Sequence, residues 1–347
     1  MGKSTRIIVL LWALVYFGVS MGVMLVFSQH KSIRIDNVAI NGASSLAGSG
    51  TEDGVDGQLL FRPGEKETEY LEIPLEAGVQ AGNVIIENHY MQRQIWIYIG
   101  GTSREFYTKE AIFGNISRIE AGGYEFAADG VLLKFQLDDV YECQSILGEG
   151  RLSIRFVPPK EIYDKIVVID AGCGGEDIGI VSGTLVEKTV TLDIVKRVQA
   201  LFEGSDIKIY YTRMEDVSLS EKERAAFANA VDADMLISIR LNESETETVF
   251  GTETFYNGSY FIPDFGNIEL ADLVEYHVVT AIKGKANGLY EAWEGDILLR
   301  EAKVPAVVIR VGYSTNAEEV LALEDASYRD RVAWGIRTAI LAAYEIK

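Results

Sequence analysis

Cysteine is almost missing from this chain. There are two, Cys143 and Cys173. Two thiols make no disulfide framework. A single bridge between them stays open, though it would have to tie two domains together, and two isolated thiols are the simpler reading. Histidine is equally scarce. His30, His89 and His277 are scattered and share no metal-ligand or triad spacing. Positive charge is short as well: 32 Lys and Arg face 52 Asp and Glu, a formal net charge of −20. That balance argues against a nucleic-acid partner, whose phosphates want a basic face. It also leaves no basic patch for anionic lipid. The surface reads as solubilising and self-repelling.

Long uncharged runs are missing too, with one exception. "IIVLLWALVYFGVSMGVMLVF", residues 7–27, carries no charge. As a helix it spans roughly 30 Å, the thickness of a bilayer's hydrocarbon core. It is long for a secretory signal, and no small-x-small cleavage site follows it. It reads as an uncleaved anchor behind a cytoplasmic tail of residues 1–6. Lys3 and Arg6 precede the span and Lys31 and Arg34 follow it, so local charge orients it poorly. The expectation is a single-pass protein of the cytoplasmic membrane, with everything after Gln29 outside.

With 48% apolar and 24% charged residues, the remainder is globular in composition. Residues 28–66 hold a strand-like piece, "SIRIDNVAI", and a Gly, Ser and acid-rich linker. Residues 67–158 favour strands: "QIWIYI", then "LLKFQL" with Leu133, Phe135 and Leu137 on one face, then "RLSIRFV" with Leu152, Ile154 and Phe156 on one face. A small β-sandwich-like domain is expected there. "VPPKE" breaks the chain. Residues 163–347 alternate strand and helix. "KIVVID", "DIKIYYTR", "DMLISIRLN" and "VPAVVIRVGY" read as strands, and "GTETFYN" as a further one. Between them lie helical segments, including "VTLDIVKRVQALF", with Leu192, Val195, Val198 and Phe202 on one face. "SLSEKERAAFANAV" opens with Ser218 or Ser220 as cap and Glu221 or Glu223 behind it. This pattern predicts an α/β fold: a mostly parallel sheet with helices on both faces. Ligands in such sheets sit beyond the carboxyl ends of the strands. Those ends hold Asp170 to Cys173, Arg213, Arg240 with Asn242, and Arg310 with Gly312.

Four segments of this half carry a specific likeness: "VVIDAGCGGEDIG", "LVEKTVTLDIV", "YYTRMEDVSLSEKERAAFANAVDADMLISI" and "ILLREAKVPAVVIRVGYSTNAEE". Together they resemble the zinc-dependent N-acetylmuramoyl-L-alanine amidases, the amidase-3 cell-wall hydrolases. The likeness runs over nearly all of residues 165–346. It implies two His and one Glu on zinc, an open position for water, and a further Glu as general acid/base. Carried over by position, the first His falls on Cys173, the Glu ligand on Glu187, the second His on Arg240 and the catalytic Glu on Arg310. Only Glu187 keeps the family's residue. A guanidinium has no lone pair to offer and does not deprotonate in proteins. No metal and no catalytic residue is therefore expected, although the family uses zinc. Cys173 as a nucleophile lacks a histidine base at any matched position.

Two readings of the arginines stand. Arg240, helped by Arg310, forms a salt bridge with Glu187 in place of the metal; this is the simpler one. Alternatively Arg240 and Arg310, with Asn242, bind an anionic ligand such as a stem-peptide carboxylate. Arg213, Asp216, Glu223, Arg224 and Asn229 read as residues that hold the fold, and His277 as structural or exposed. The β domain has a weak likeness to the β-sandwich targeting domains that precede such amidases. The expected protein is a bacterial pseudo-amidase that binds peptidoglycan or a partner in wall remodelling, division or sporulation. An active wall amidase with an unusual site and a structural scaffold are the alternatives.

Overall fold

The computed structural model describes residues 56–62 and 69–346. The expected tail 1–6, the expected anchor 7–27 and the strand-like "SIRIDNVAI" lie outside the described residues. Among the described residues no helix is long and apolar enough to cross a membrane. The chain divides into two compact units, meeting in sequence at Val157 and Pro158.

Among its described residues the first unit holds ten strands, β1 (Gly57–Gln58), β2 (Phe61–Arg62), β3 (Leu71–Pro74), β4 (Val84–His89), β5 (Gln94–Gly100), β6 (Ile112–Gly114), β7 (Ile119–Phe126), β8 (Gly130–Leu137), β9 (Glu142–Gly148) and β10 (Arg151–Val157), and one short α-helix, α1 (Phe106–Lys109). They form two five-stranded sheets, ordered β1-β7-β8-β5-β4 and β2-β6-β3-β10-β9. Alternation explains the core. Ile95, Ile97 and Ile99 of β5 and Leu133, Phe135 and Leu137 of β8 are buried, and they cluster with Leu152, Ile154 and Phe156 of the other sheet. Each such side chain contributes about 1.5–3 kcal/mol on burial. β1 and β2 fall inside the stretch read as linker. Two-residue pairings have no periodicity to detect, so only the register with β7 and β6 reveals them.

The second unit carries a six-stranded sheet ordered β14-β11-β15-β18-β16-β17. Its strands are β11 (Ile166–Ala171), β14 (Lys208–Tyr211), β15 (Met235–Asn242), β16 (Thr252–Tyr256), β17 (Ala286–Glu291) and β18 (Ala306–Tyr313), and β12 (Val181–Ser182) and β13 (Leu185–Val186) pair separately. All pairs in the large sheet are parallel except β16 with β18. The helices are α2 (Glu187–Leu201), α3 (Glu221–Ala230), α4 (Asn267–Ile282), α5 (Ile297–Glu301), α6 (Ala317–Glu324) and α7 (Ala326–Ile346). β17, α5 and α6 were not legible as elements. The packing face of α2 differs from expectation: Val190, Thr191, Ile194, Val195 and Val198 are buried, and Leu192 is only half-buried.

Period-two alternation sorts the strands between two faces. Val167, Ile169 and Ala171 of β11, Ile237, Ile239 and Leu241 of β15, and Val307, Ile309 and Val311 of β18 share one core with α2, α4 and α7. Asp170, Ser238, Arg240 and Arg310 therefore project to the other face, the side of α3. There Asp170 is ion-paired with Arg224 of α3, the two side chains being 0% and 1% exposed. Ser220 caps α3: its hydroxyl accepts from the Glu223 N–H and its own N–H donates to the Glu223 carboxylate. Such a capping box is worth about 1 kcal/mol. Because Glu223 takes that work, Glu221 is left free to reach elsewhere.

Candidate functional site

The turn after β11 is held by two buried arginines. Arg224 donates to the carbonyls of Ala171 and Cys173, each at 2.7 Å. Arg213 donates to Ala171 at 2.9 Å, to Gly172 at 2.8 Å and to Lys188 at 2.8 Å. Thr191 adds a bond to the Gly172 carbonyl at 2.8 Å. Asp216 accepts from the Gly175 N–H at 2.8 Å and pairs with Lys188 at 2.6 Å. Asn229 ties α3 to the Glu301 carbonyl and the Lys303 N–H. Of the residues read as fold-holding, Arg213, Asp216 and Arg224 thus fix the turn's backbone, while Glu223 caps α3 and Asn229 ties α3 to the end of α5.

Cys173 sits in that turn at φ 58°, in the left-handed region, and is 3% exposed. Its Sγ accepts from Arg240 Nη1 at 3.5 Å. Gly179 closes over it at φ 65°: a Cβ there would lie 2.6 Å from both Cys173 Sγ and Glu187 Oε2. Glu187, 4% exposed, opens α2 and turns back into the site. Its two oxygens accept from the backbone N–H of Ile180 and of Leu241, each at 2.9 Å.

The expected salt bridge between Arg240 and Glu187 is not formed. Glu187 satisfies itself on backbone donors. Arg240 Nη2 reaches Glu221 instead, at 3.2 Å. Glu221 also accepts from the N–H groups of Ile297 and Leu298 at the start of α5. It is the site residue that the sequence missed, since it looked like a cap candidate. Burial works against the Arg240 charge, but the carboxylates of Asp170, Glu221 and Glu187 hold its pKa above the usual value.

Arg310 is Arg240's neighbour in register across β15 and β18. The two nevertheless differ. Arg310 Nη1 donates to Asn242 Oδ1 at 3.0 Å, and its guanidinium lies 4.6 Å from the centre of the Phe255 ring. Its Nε is buried without a partner. Asn242 is buried and engaged at both ends of its amide, donating to Glu253 at 2.7 Å. It thereby positions the Arg310 guanidinium. His277 stands away from this group, half-buried on α4 beside Tyr276.

These residues do not fit a catalytic zinc. The matched positions offer one carboxylate and one thiol, and among the described residues no three His, Cys, Asp or Glu side chains come together as a metal site. A guanidinium contacts that thiol directly, so a divalent ion there would meet its charge. Burial pushes the Cys173 thiol up to about 12, the Glu187 carboxylate adds to this, and Arg240 opposes it only in part. The thiol is therefore neutral near pH 7, and it is the thiolate that binds metal or attacks carbon. Cys143, also buried and free, is raised further by burial. Native protein treated with iodoacetamide at pH 8 is expected to keep both thiols unlabelled by mass spectrometry, and unfolded protein to take up two labels. Rapid native labelling of Cys173 would contradict the neutral, covered thiol.

The family model described as N-acetylmuramoyl-L-alanine amidase matches residues 167–342, just over half the chain. The amidase LytC of Bacillus subtilis is 27% identical over 183 residues, which is 53% of this chain and 36% of LytC. The amidase CwlM of Mycobacterium tuberculosis is 29% identical over 237 residues, 64% of this chain and 57% of CwlM. This chain thus spans about a third of the first relative's length and just over half of the second's. A solved amidase from Clostridium difficile 630 is 34% identical with a TM-score of 0.49, covering 53% of this chain and 98% of that one. The strand-and-helix framework, the clamped turn and the matched segment together place this chain in the N-acetylmuramoyl-L-alanine amidase family.

Proposed function

We propose that this protein is a pseudo-amidase of the cell envelope. It is anchored by residues 7–27, holds its two folded units outside the cytoplasmic membrane, and binds peptidoglycan or a wall-remodelling, division or sporulation partner without zinc or hydrolysis. One observation carries the reading: Arg240, at the position where the family resemblance implies a histidine ligand, contacts Cys173 and is ion-paired with Glu221. A second supports it. Arg310, at the position of the family's general base, cannot accept a proton.

The test uses the full-length chain purified in detergent. Metal analysis is expected to find substoichiometric zinc even after zinc loading. Incubation with purified cell walls is expected to release no muropeptides, while sedimentation retains the protein with the walls or with a wall-associated partner. Stoichiometric zinc together with released peptides would overturn the reading in favour of an active amidase. No hydrolysis and no retention, unchanged when Arg240 and Arg310 are replaced by Ala, would favour a scaffold.

A further inference from the structure

The two outermost strands on one side of the large sheet are held in part by acids. β17 ends the sheet and pairs only with β16. That pairing breaks register between Thr252 and Glu253, where the partner jumps from Ala286 to Gly288. Gly251 and Gly288 stand at the break with φ 117° and 112°, and their N–H groups go to side-chain carboxyls. Glu319 of α6 accepts from Gly251 at 3.0 Å and from Tyr313 of β18 at 2.7 Å. Glu275 of α4 accepts from Gly288 at 3.3 Å and from the Thr254 hydroxyl of β16. Glu275 is 5% exposed, and no lysine or arginine ion-pairs with it among the described residues. It faces Glu253 and Thr254 of β16 and the Asn287 and Gly288 amides of β17. α7 packs on α4 through Gly335, against the His277 and Val278 backbone. Burial raises the Glu275 carboxyl above its ordinary value, Glu253 adds to this, and the Thr254 and Gly288 bonds work the other way. Burial raises Glu319 too, against its two backbone bonds and Lys285.

We propose that Glu275, seconded by Glu319, is a proton-operated clamp on the β16–β17 edge: protonated it holds the edge closed, and ionised it lets the edge open. This goes beyond the binding role proposed above and does not depend on it. A carboxylate buried without a cation is unfavourable, and a proton relieves it. The neutral carboxyl keeps both contacts. One oxygen still accepts from Gly288, and the new O–H donates to the Thr254 hydroxyl. Ionisation leaves a charge in the interior with Glu253 as its nearest like charge. The sign follows from linkage. A carboxyl raised above its ordinary 4.5 contributes its extra stability in full below that value and loses it as pH rises through the folded one. The edge is therefore tightest in mild acid. β17 runs directly into the segment that carries Trp293, 66% exposed, so the clamp also sets how firmly that exposed ring is held.

The test is hydrogen exchange read by mass spectrometry on full-length protein in detergent, at pH 5 and pH 8, corrected for the intrinsic exchange rate. Peptides over residues 250–256 and 285–291 are expected to exchange about threefold or more faster at pH 8, while β11 and β15, further inside the sheet, do not change. Glu275→Gln mimics the neutral carboxyl and should keep the edge slow at both pH values. Glu319→Gln should narrow the contrast. His277, on the same helix, is the control. Burial lowers its pKa, so its protonation works against the fold in acid, the opposite sign, and His277→Gln should leave the contrast intact. Equal protection at both pH values in wild type, an undiminished contrast in Glu275→Gln, or its loss in His277→Gln would overturn the clamp. The wild-type comparison needs no variant, so it decides even where a variant fails to fold.

Discussion

Replacing Arg224 with alanine will destabilise the α/β unit by about 3–5 kcal/mol, the usual cost of stripping one partner from a buried ion pair. Asp170 would be left charged at 0% exposure, with only the hydroxyls of Thr212 and Ser238 as direct donors. The carbonyls of Ala171, Cys173 and Leu219 would each lose a hydrogen bond. The pH dependence carries the same signature. Although burial alone would raise it, the guanidinium groups of Arg224 and Arg240 hold the Asp170 carboxyl below its ordinary value of 3.8. A depressed carboxyl contributes stability above its unfolded pKa and loses it as pH falls toward the folded one. Wild-type protein should therefore lose this contribution only below pH 3.8, and the deficit of Arg224→Ala relative to wild type should be full near pH 7 and shrink as pH falls through that range. Circular-dichroism melts across pH 3 to 7 measure both effects. A variant that melts like wild type at pH 7 would show that Arg224 does not hold the turn.

The triple substitution Cys173→His, Arg240→His, Arg310→Glu is expected to bind stoichiometric zinc, where the parent chain binds little. The backbone needed for this is already in place. Arg213 and Arg224 clamp the turn at position 173, strand register sets 240 beside 310, and Glu187 reaches the Leu241 N–H at 2.9 Å. Two imidazoles would join the Glu187 carboxylate, whose oxygens keep a second lone pair each. That makes three protein ligands with one open position. Removing the guanidinium charges matters as much as adding ligands: at about 5 Å and an effective dielectric near 20, each opposes a divalent ion by several kcal/mol. Cys173→His alone should gain nothing, because Arg240 remains. Metal analysis after gel filtration reads the outcome. A folded triple variant without zinc would show that the change in this chain extends to the groups that orient the ligands.

Much of this protein is legible without coordinates because the relevant signals are local. β11, β15 and β18 are buried on both faces, so they read as apolar runs. The α3 segment announces itself through its cap and its repeating charged and apolar positions. Cys173, Arg240 and Arg310 are placed by the family resemblance of the segments that hold them. β1, β2 and β17 were not legible, since a short strand, or an edge strand with half-exposed residues, has no clear period.

What sequence determined by itself is which groups stand at the four matched positions: one carboxylate, one thiol and two guanidinium groups where the family resemblance implies zinc ligands and the base. What only tertiary structure decided is who meets whom. Glu187 and Arg240 have opposite charge and share the site, yet Glu187 is taken by two backbone donors and Arg240 by Glu221, 19 residues away on another element. Ion-pair choice depends on the distances set by a helix crossing a strand, and on which groups are already satisfied when they arrive. Neither quantity is written in the spacing of residues along one segment. The same physics separates Arg240, committed to an acid, from Arg310, held by Asn242 and Phe255 with a donor to spare.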